Sequence, residues 1–174
     1  MARIIYKEDT ENHYNLEGIE GIEINLLNGQ KALVYPKYSE RMMLPEDKIY
    51  HWNEKDITEI ESLKKEDTVQ ATEALLRCGS PAAEYVSNFR SNKHGTLNLP
   101  SLLAAMEISH QMKDIDKLAE LIDGADLLQN FDSYIWTCFR YNKNYGWVVF
   151  GNGGFVLSNY LCNSHLIVPI ALYR

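Results

Sequence analysis

The 174-residue sequence lacks an even set of cysteines, an excess of basic residues and a long apolar stretch. Each absence argues against one class of protein. The three cysteines are an odd number without metal-ligand spacing, so we expect reduced thiols rather than a disulfide framework. The 17 basic residues are outnumbered by 24 acidic ones, which gives a net charge of -7 and disfavours nucleic-acid binding, because such surfaces need clustered Lys and Arg. No stretch approaches the roughly 18 apolar residues of a membrane span, so we expect no membrane insertion.

The amino-terminal residues, MARIIYKEDTENHY, also lack the apolar core of a signal peptide. Their apolar span is confined to residues 3–6, and charged residues follow at once. We therefore expect a protein of the cytoplasm, or one that leaves the cell by another route, such as a virion released by lysis of a host cell.

Motifs for a cofactor or a catalytic site are missing as well. The five histidines, at positions 13, 51, 94, 110 and 165, form no helical pair at metal-ligand spacing. The sequence GNGG at residues 151–154 lacks the Lys and the helix start of a phosphate-binding loop, so it predicts a turn. The carboxylates of residues 54–67 alternate with lysines, as on a solvated helix. We expect no cofactor, no metal and no catalytic residue.

The order of local patterns predicts strands, then helices, then strands. Asn28-Gly29 between two apolar runs predicts a hairpin over residues 19–35. The prolines that follow favour loops with one short strand. Residues 67–77, and a segment that opens with Ser80 and Pro81, predict two short helices or one broken at Cys78-Gly79.

A third helical region follows the sequence NLPS. It has Leu102 and Leu103 at its start, a restart at Asp114 or Asp116, and an end at Gly124. The fold class is therefore α+β, with small antiparallel sheets and two or three helices. Residues 1–66 form strands and loops packed on a domain of residues 67–174.

The last third of the chain differs in composition from the rest. Residues 131–165 hold ten of the nineteen aromatic residues and a single acidic residue, Asp132. The short apolar runs WVVF, FVL and LIVPIALY alternate with Asn and Gly turns and predict antiparallel strands. Tyr and Trp give large contact area at low entropic cost, and Asn, Ser and Gly give adaptable hydrogen bonds, a composition typical of binding loops.

Neighbouring residues divide this region into a core and an exposed part. Trp136, Trp147, Phe150 and Phe155 have apolar neighbours and are expected in the core. We expect the residues among polar neighbours to be exposed, and residues 131–166 to face a ligand through them: Tyr141, Asn142, Asn144, Tyr145, Ser158, Tyr160, Asn163 and His165.

A succession of short motifs in the second half resembles a known family. The motifs are LPS at residues 99–101, WTC at 136–138, GW at 146–147, NGG at 152–154 and IVPIALY at 167–173. Together they resemble bacterial domains of the C-type-lectin-like fold, in particular an uncharacterised Bacteroides-associated group with leucine-proline-serine, tryptophan-serine-serine and valine-arginine-proline-valine motifs. The segment TEALLRCGSPAAEYVSNF is similar to the helix before the first motif, so the resemblance extends from about Thr68 to Arg174.

This resemblance implies a sheet and two helices that support a loop-rich surface. Related proteins include the variable proteins of diversity-generating retroelements, phage receptor-binding tips among them, and the formylglycine-generating enzymes. The arginine of the last motif is replaced by Val168, so no role of that arginine carries over. The calcium-ligand signatures of lectins are missing. A formylglycine-generating activity would need paired reactive cysteines, and Cys138 and Cys162 are the candidates. A free cysteine is, however, more often a small buried apolar residue.

Three hypotheses about function therefore remain. The first is a non-catalytic module, displayed on a phage or encoded by a mobile element, that recognises a protein or glycan ligand. The second is an enzyme of the formylglycine-generating type or an unrecognised hydrolase, which would need a concave pocket with convergent polar groups. The third is a structural assembly subunit whose aromatic surface is a permanent interface. Whether the chain forms an oligomer is left open.

Overall fold

The computed structural model describes residues 2–6, 19–43, 68–121, 128, 134–141, 144–151, 153–160 and 162–173. In these ranges the protein has an α+β fold with eleven strands, grouped into three sheets, and four short α-helices. The strands are β1 (Arg3–Tyr6), β2 (Ile19–Asn25), β3 (Lys31–Val34), β4 (Glu40–Met42), β5 (Arg90–Ser91), β6 (Gly95–Thr96), β7 (Tyr134–Arg140), β8 (Tyr145–Phe150), β9 (Val156–Tyr160), β10 (His165–Ile167) and β11 (Ile170–Tyr173). The helices are α1 (Thr68–Arg77), α2 (Pro81–Ser87), α3 (Leu102–His110) and α4 (Met112–Ala119).

The first sheet has four antiparallel strands in the order β1-β2-β3-β11. Its central hairpin forms where the sequence predicts it. Gly29 adopts a φ of 81°, which a residue without a side chain accommodates at no steric cost. The Asn28 side chain accepts a hydrogen bond from the backbone N–H of Gln30 at 3.0 Å. The hairpin prediction is therefore confirmed.

Two glutamates lie buried in the β2 strand of this sheet. Glu20 accepts hydrogen bonds from the Tyr35 hydroxyl at 2.9 Å and from the backbone N–H of Asn92 at 2.8 Å. Glu23 pairs with Arg3 and accepts a hydrogen bond from the Tyr173 hydroxyl. Burial by itself raises the pKa of Glu23, but these bonds outweigh it and hold the pKa below its usual value. Both buried carboxylates therefore have polar partners.

The second sheet has five strands in the order β4-β10-β7-β8-β9. Most neighbours are antiparallel, as the sequence predicts, but β10 runs parallel to β7, with Leu166 beside Ile135. The prediction of antiparallel strands is wrong for this pair. The apolar run gives the position of a strand but does not determine which neighbour it will have, and β10 lies between β4 and β7 rather than beside β9.

Apolar side chains cover both faces of the five-stranded sheet. On one face Ile135, Val149 and Leu166 pack with α3, α4 and the inner side of the four-stranded sheet. On the other face Trp136 and Val148 pack with α1 and α2. The β7 strand is buried along nearly its whole length because it supplies both layers. Strands from before and after residue 67 share both large sheets.

The helix starts follow the capping residues of the sequence. The Ser80 side chain accepts a hydrogen bond from the N–H of Ala83, and Pro81 occupies the first helical position. Two separate helices flank Cys78-Gly79, and the third region restarts at Gln111, earlier than the predicted aspartates. Gly124 and residues 54–67 lie outside the described residues. In the described ranges, none of the helices is long and apolar enough to cross a membrane.

Candidate functional site

An aromatic surface forms at the end of the five-stranded sheet where β8 and β9 meet. Tyr145 of β8 lies directly opposite Tyr160 of β9, and Trp147 lies opposite Ser158. Opposite and alternate residues share one face of a sheet, so these four side chains project from the same side. Tyr141 follows β7 and its ring contacts Trp147. We call these five residues the aromatic face.

The rings of the aromatic face contact one another in pairs. The Tyr141 and Trp147 rings meet edge to face, with centroids 4.9 Å apart, and the Tyr145 and Tyr160 rings lie 4.3 Å apart. Hydrogen bonding to Tyr160 raises the pKa of the Tyr145 hydroxyl, so Tyr145 keeps its proton near neutral pH. Tyr141 is 50% exposed and Tyr160 is 51% exposed. The ring contacts therefore hold the four side chains in place, and about half of the surface of Tyr141 and of Tyr160 remains exposed to solvent.

Amide side chains border this face. Asn163 donates its side-chain N–H to the Asn159 side-chain oxygen at 2.5 Å and its backbone N–H to the Tyr160 carbonyl at 3.0 Å. Asn159 also accepts the backbone N–H of Tyr160 at 2.9 Å. Asn144 and Asn163 are exposed. The face therefore combines apolar ring surface with hydrogen-bonding groups at its rim.

A bulge in β7 brings Tyr141 to this surface. The β7–β8 register shifts between Trp136 and Arg140, so Arg140 rather than Cys138 pairs with Gly146. The Thr137 hydroxyl lies in this bulge and donates to the Trp147 carbonyl at 3.0 Å. Bulges redirect the side chains that follow them. Tyr141 can therefore reach the Trp147 ring.

The structure brings together most of the predicted ligand-facing residues. Tyr141, Asn144, Tyr160 and Asn163 are exposed, whereas Tyr145 and Ser158 are half-buried on the same surface. Asn142 lies outside the described residues. Sequence reasoning missed Trp147, which was assigned to the core. Its alternation with Tyr145 along β8 is the signal that could have placed it on this face.

The prediction that His165 is exposed is wrong. Its side chain is buried, and its ring lies edge-on to Trp136 at 4.8 Å and to Tyr134 at 5.3 Å. Burial, and to a lesser extent the positive charge of Arg41, lowers the pKa of His165 from 6.5 to about 4. The polar residues before it belong to a loop, but His165 begins β10, which is enclosed between β4 and β7.

Four aromatic residues were expected in the core, and only one of them, Trp136, is fully buried. Trp136 is completely buried and donates its indole N–H to the Met42 carbonyl at 3.0 Å. Trp147 and Phe150 are half-buried. Phe155 is 69% exposed, so its assignment to the core is wrong. It directly precedes β9, which is the last of the described strands in its sheet.

A separate cleft of about 520 Å³ lies between α1, the β5–β6 hairpin and β11. Val69, Leu76 and Leu172 supply its apolar wall, and Glu73 and His94 lie among its polar residues. The His94 ring stacks on Tyr173 with centroids 4.0 Å apart. The cleft joins three elements that are distant in sequence, so no local pattern predicts it.

The side chains that could support catalysis or metal binding are dispersed. Cys138 is buried and Cys162 is exposed, and neither forms a disulfide. Across the described ranges, no group of three His, Cys, Asp or Glu side chains is placed to hold a metal ion. The aromatic face contains phenol, hydroxyl and indole groups, which bind by stacking and hydrogen bonding.

No protein-family model matches the chain, and no curated protein is significantly similar to it.

Proposed function

We propose that this protein is a non-catalytic binding module that recognises a protein or glycan ligand through the aromatic face. The observation that carries the proposal is the pair of ring contacts, Tyr141 on Trp147 and Tyr145 on Tyr160, which leave Tyr141 and Tyr160 half exposed. Isolated exposed aromatics are ordinary, but four rings arranged on one sheet face form a contact surface.

Prearrangement of the rings favours binding. A side chain that is already held by its neighbours loses less rotamer freedom when a ligand arrives, so more of the contact energy remains as affinity. The flat faces of Tyr and Trp pack against apolar surface, either aliphatic and aromatic side chains or the C–H faces of sugar rings. Hydroxyl and amide groups border the rings, and the exposed side chains of Asn144 and Asn163 offer polar contacts to the same ligand.

The charge of the region narrows the class of ligand. Residues 144–173 contain no Asp, Glu, Lys or Arg, although the chain as a whole carries a net charge of -7. The part of the aromatic face on β8 and β9 therefore makes its contacts through neutral groups, and these contacts should depend only weakly on ionic strength. This favours neutral glycans or uncharged protein surfaces over strongly charged ligands.

The resemblance described above extends the proposal. A C-type-lectin-like domain that displays its last third to a receptor, on a phage or another mobile element, would present a surface of this kind. Diversification by a retroelement belongs to the same proposal. A neighbouring reverse-transcriptase gene and an adenine-rich template repeat would support it, and their absence from the genome would refute that extension alone.

The binding proposal is tested with arrays of glycans and of cell-surface proteins. The wild-type protein is compared with the double variant Tyr141→Ala/Tyr160→Ala and with Leu27→Ala as a matched control. Leu27 is 81% exposed at the β2–β3 turn, so its loss changes surface apolar area far from the aromatic face. We expect the wild type and Leu27→Ala to bind the same ligand, and the double variant to lose at least about tenfold in affinity, or 1.4 kcal/mol.

Two outcomes would contradict the proposal. One is a wild-type protein that binds no component of either array, and the other is a double variant that binds as tightly as wild type. Thermal unfolding of all three proteins shows that a loss of binding is not a loss of fold. A second binding measurement in high salt separates the neutral contacts proposed here from electrostatic attraction, which salt would abolish.

A further inference from the structure

The outer edge of β9 is a second feature of this region, and it consists of backbone rather than rings. Among the strands that the structure describes, in the order β4-β10-β7-β8-β9, β9 has one neighbour and an open side. An edge strand presents a row of N–H and C=O groups that can pair with another strand. What this edge can bind depends on which of its groups point outward and which already have partners.

The hydrogen-bonding pattern identifies the outward groups. Phe150 donates its N–H to the Phe155 carbonyl at 2.8 Å, and bonded and non-bonded pairs alternate along an antiparallel ladder. The pairs Val149–Val156, Trp147–Ser158 and Tyr145–Tyr160 are therefore the non-bonded ones. It follows that Val156, Ser158 and Tyr160 direct their backbone groups away from β8.

The two ends of this edge differ. The outward groups of Tyr160 have local partners, because Asn159 accepts its N–H and Asn163 donates to its carbonyl. Among the residues that the structure describes, none pairs with the outward groups of Val156 and Ser158. The open part of the edge is therefore two alternate residues long, with Leu157 at its centre.

The usual protection of an edge strand is missing here. Natural edges carry charged side chains, prolines or bulges that prevent pairing with another chain. Residues 151–168 contain no charged residue and no proline, and the β8–β9 register is regular. Phe155 and Val156 expose apolar surface beside the open backbone, at 69% and 38%. The edge thus combines open hydrogen-bonding groups with apolar side chains.

We propose that β9 pairs antiparallel with β9 of a second copy of this chain, about a two-fold axis through Leu157. In this register Val156 of each copy lies opposite Ser158 of the other, so the open backbone groups satisfy one another through four hydrogen bonds. Leu157 faces its own counterpart as an apolar pair. The edge is self-complementary, as a closed two-fold dimer requires.

The charge distribution favours a second copy at this edge. Each chain carries a net charge of -7, so two copies repel one another over most of their surfaces. Residues 144–173, which include both β8 and β9, contain no Asp, Glu, Lys or Arg, so the paired strands themselves place no like charges in contact. The contact consists of one short strand from each copy and is therefore small. We expect the dimer to be in equilibrium with the monomer and to dissociate on dilution.

The pairing also has a consequence for binding, and this step rests on the proposed function. Opposite residues in an antiparallel pair share a face, so Val156 and Ser158 of both copies would lie on one side of a continuous sheet. The two aromatic faces would then point in the same direction. A ligand with repeated units could engage both faces at once and bind the dimer more tightly than the monomer.

Sedimentation of the protein without ligand, over a range of concentrations, tests the dimer. The main variant is Ser158→Pro, which removes an outward N–H and leaves the β8–β9 ladder intact, since proline is tolerated on the open side of an edge strand. Ser158→Lys is a second variant that adds a charge instead. Leu27→Lys, at the exposed turn, is the matched control for that charge.

We expect a concentration-dependent monomer–dimer equilibrium for wild type and Leu27→Lys, and monomers for both Ser158 variants. A wild type that stays monomeric at every concentration, dimers that persist in both Ser158 variants, or open-ended assemblies would overturn the proposal. If Ser158→Pro lowers the melting temperature strongly, Ser158→Lys decides the question. Because no ligand is present, failure of the dimer is distinct from failure of the array experiment.

Discussion

The two edges of the five-stranded sheet differ in both charge and exposure. At one edge β4 is three residues long and carries the exposed charges of Glu40 and Arg41. Behind it β10 is buried along its length, with His165 against Trp136. At the other edge β9 is five residues long and uncharged, and Tyr160 faces solvent.

This contrast shows that strand order, rather than local composition, decides which aromatic residues are buried. Trp136 and Tyr160 both lie in the aromatic-rich last third of the chain. Trp136 is on a central strand covered by α1 and α2, whereas Tyr160 is on a strand with one neighbour. One edge carries the charges that protect edge strands in globular proteins, whereas the other carries none.

The largest effect on stability should come from Trp136, on the central strand between the two edges. Its side chain is fully buried and donates a hydrogen bond to Met42, so Trp136→Ala should lower the free energy of unfolding by about 3–5 kcal/mol. Trp147→Ala should cost less, because Trp147 is half-buried. Denaturant unfolding measures both. Equal losses for the two tryptophans would show that the aromatic face is as well packed as the centre of the sheet.

The next effect concerns His165 and pH. Its pKa in the folded protein is about 4, below its usual 6.5, so between these values the unfolded chain binds a proton at this site that the folded protein does not. Stability should therefore fall as the pH falls from about 6.5 to 4, by up to roughly 3 kcal/mol.

This pH effect should be absent from His165→Gln, which cannot titrate. The unfolding free energies of wild type and variant should converge as the pH falls through this window. His94→Gln is the matched control, since it removes another histidine and leaves His165 in place. If the stability of His165→Gln depends on pH as that of wild type does, His165 is solvated in the folded protein.

The smallest effects on stability should come from the exposed tyrosines. Tyr141→Ala and Tyr160→Ala remove rings that are half exposed, and each should change the free energy of unfolding by no more than about 0.5 kcal/mol. Chemical denaturation of the two single variants checks this expectation. If either tyrosine proves as destabilising as Trp136, the stretch is core, and the argument for a recognition surface is lost.

Local signals in the sequence predicted local structure correctly. Asn28-Gly29 gave the hairpin and Ser80-Pro81 gave the start of α2, because turns and caps depend on residues within a few positions of one another. The exposure of Tyr141 and Tyr160 also followed from their polar neighbours. These features need no knowledge of which elements pack together.

The wrong predictions concern residues whose burial depends on strands that are distant in sequence. His165 has polar neighbours in sequence, but it lies opposite Met42, more than a hundred positions away. Phe155 lies in an apolar run, yet it is exposed because it precedes β9, the outermost strand of this sheet in the described part of the chain. The parallel pairing of β10 with β7 and the cleft beside α1 depend on the same long-range arrangement.

The strand order also has a consequence for the synthesis of the chain. β11 pairs with β3, and β10 pairs with β4, so strands near residue 170 complete both sheets begun before residue 43. Ribosomes add about 5–20 residues per second, and the roughly 130 residues between β3 and β11 therefore take on the order of ten seconds to appear. During that interval β3 has only β2 beside it. The nascent chain thus leaves the ribosome with an unfinished apolar sheet, which molecular chaperones are suited to shield until the last strands arrive.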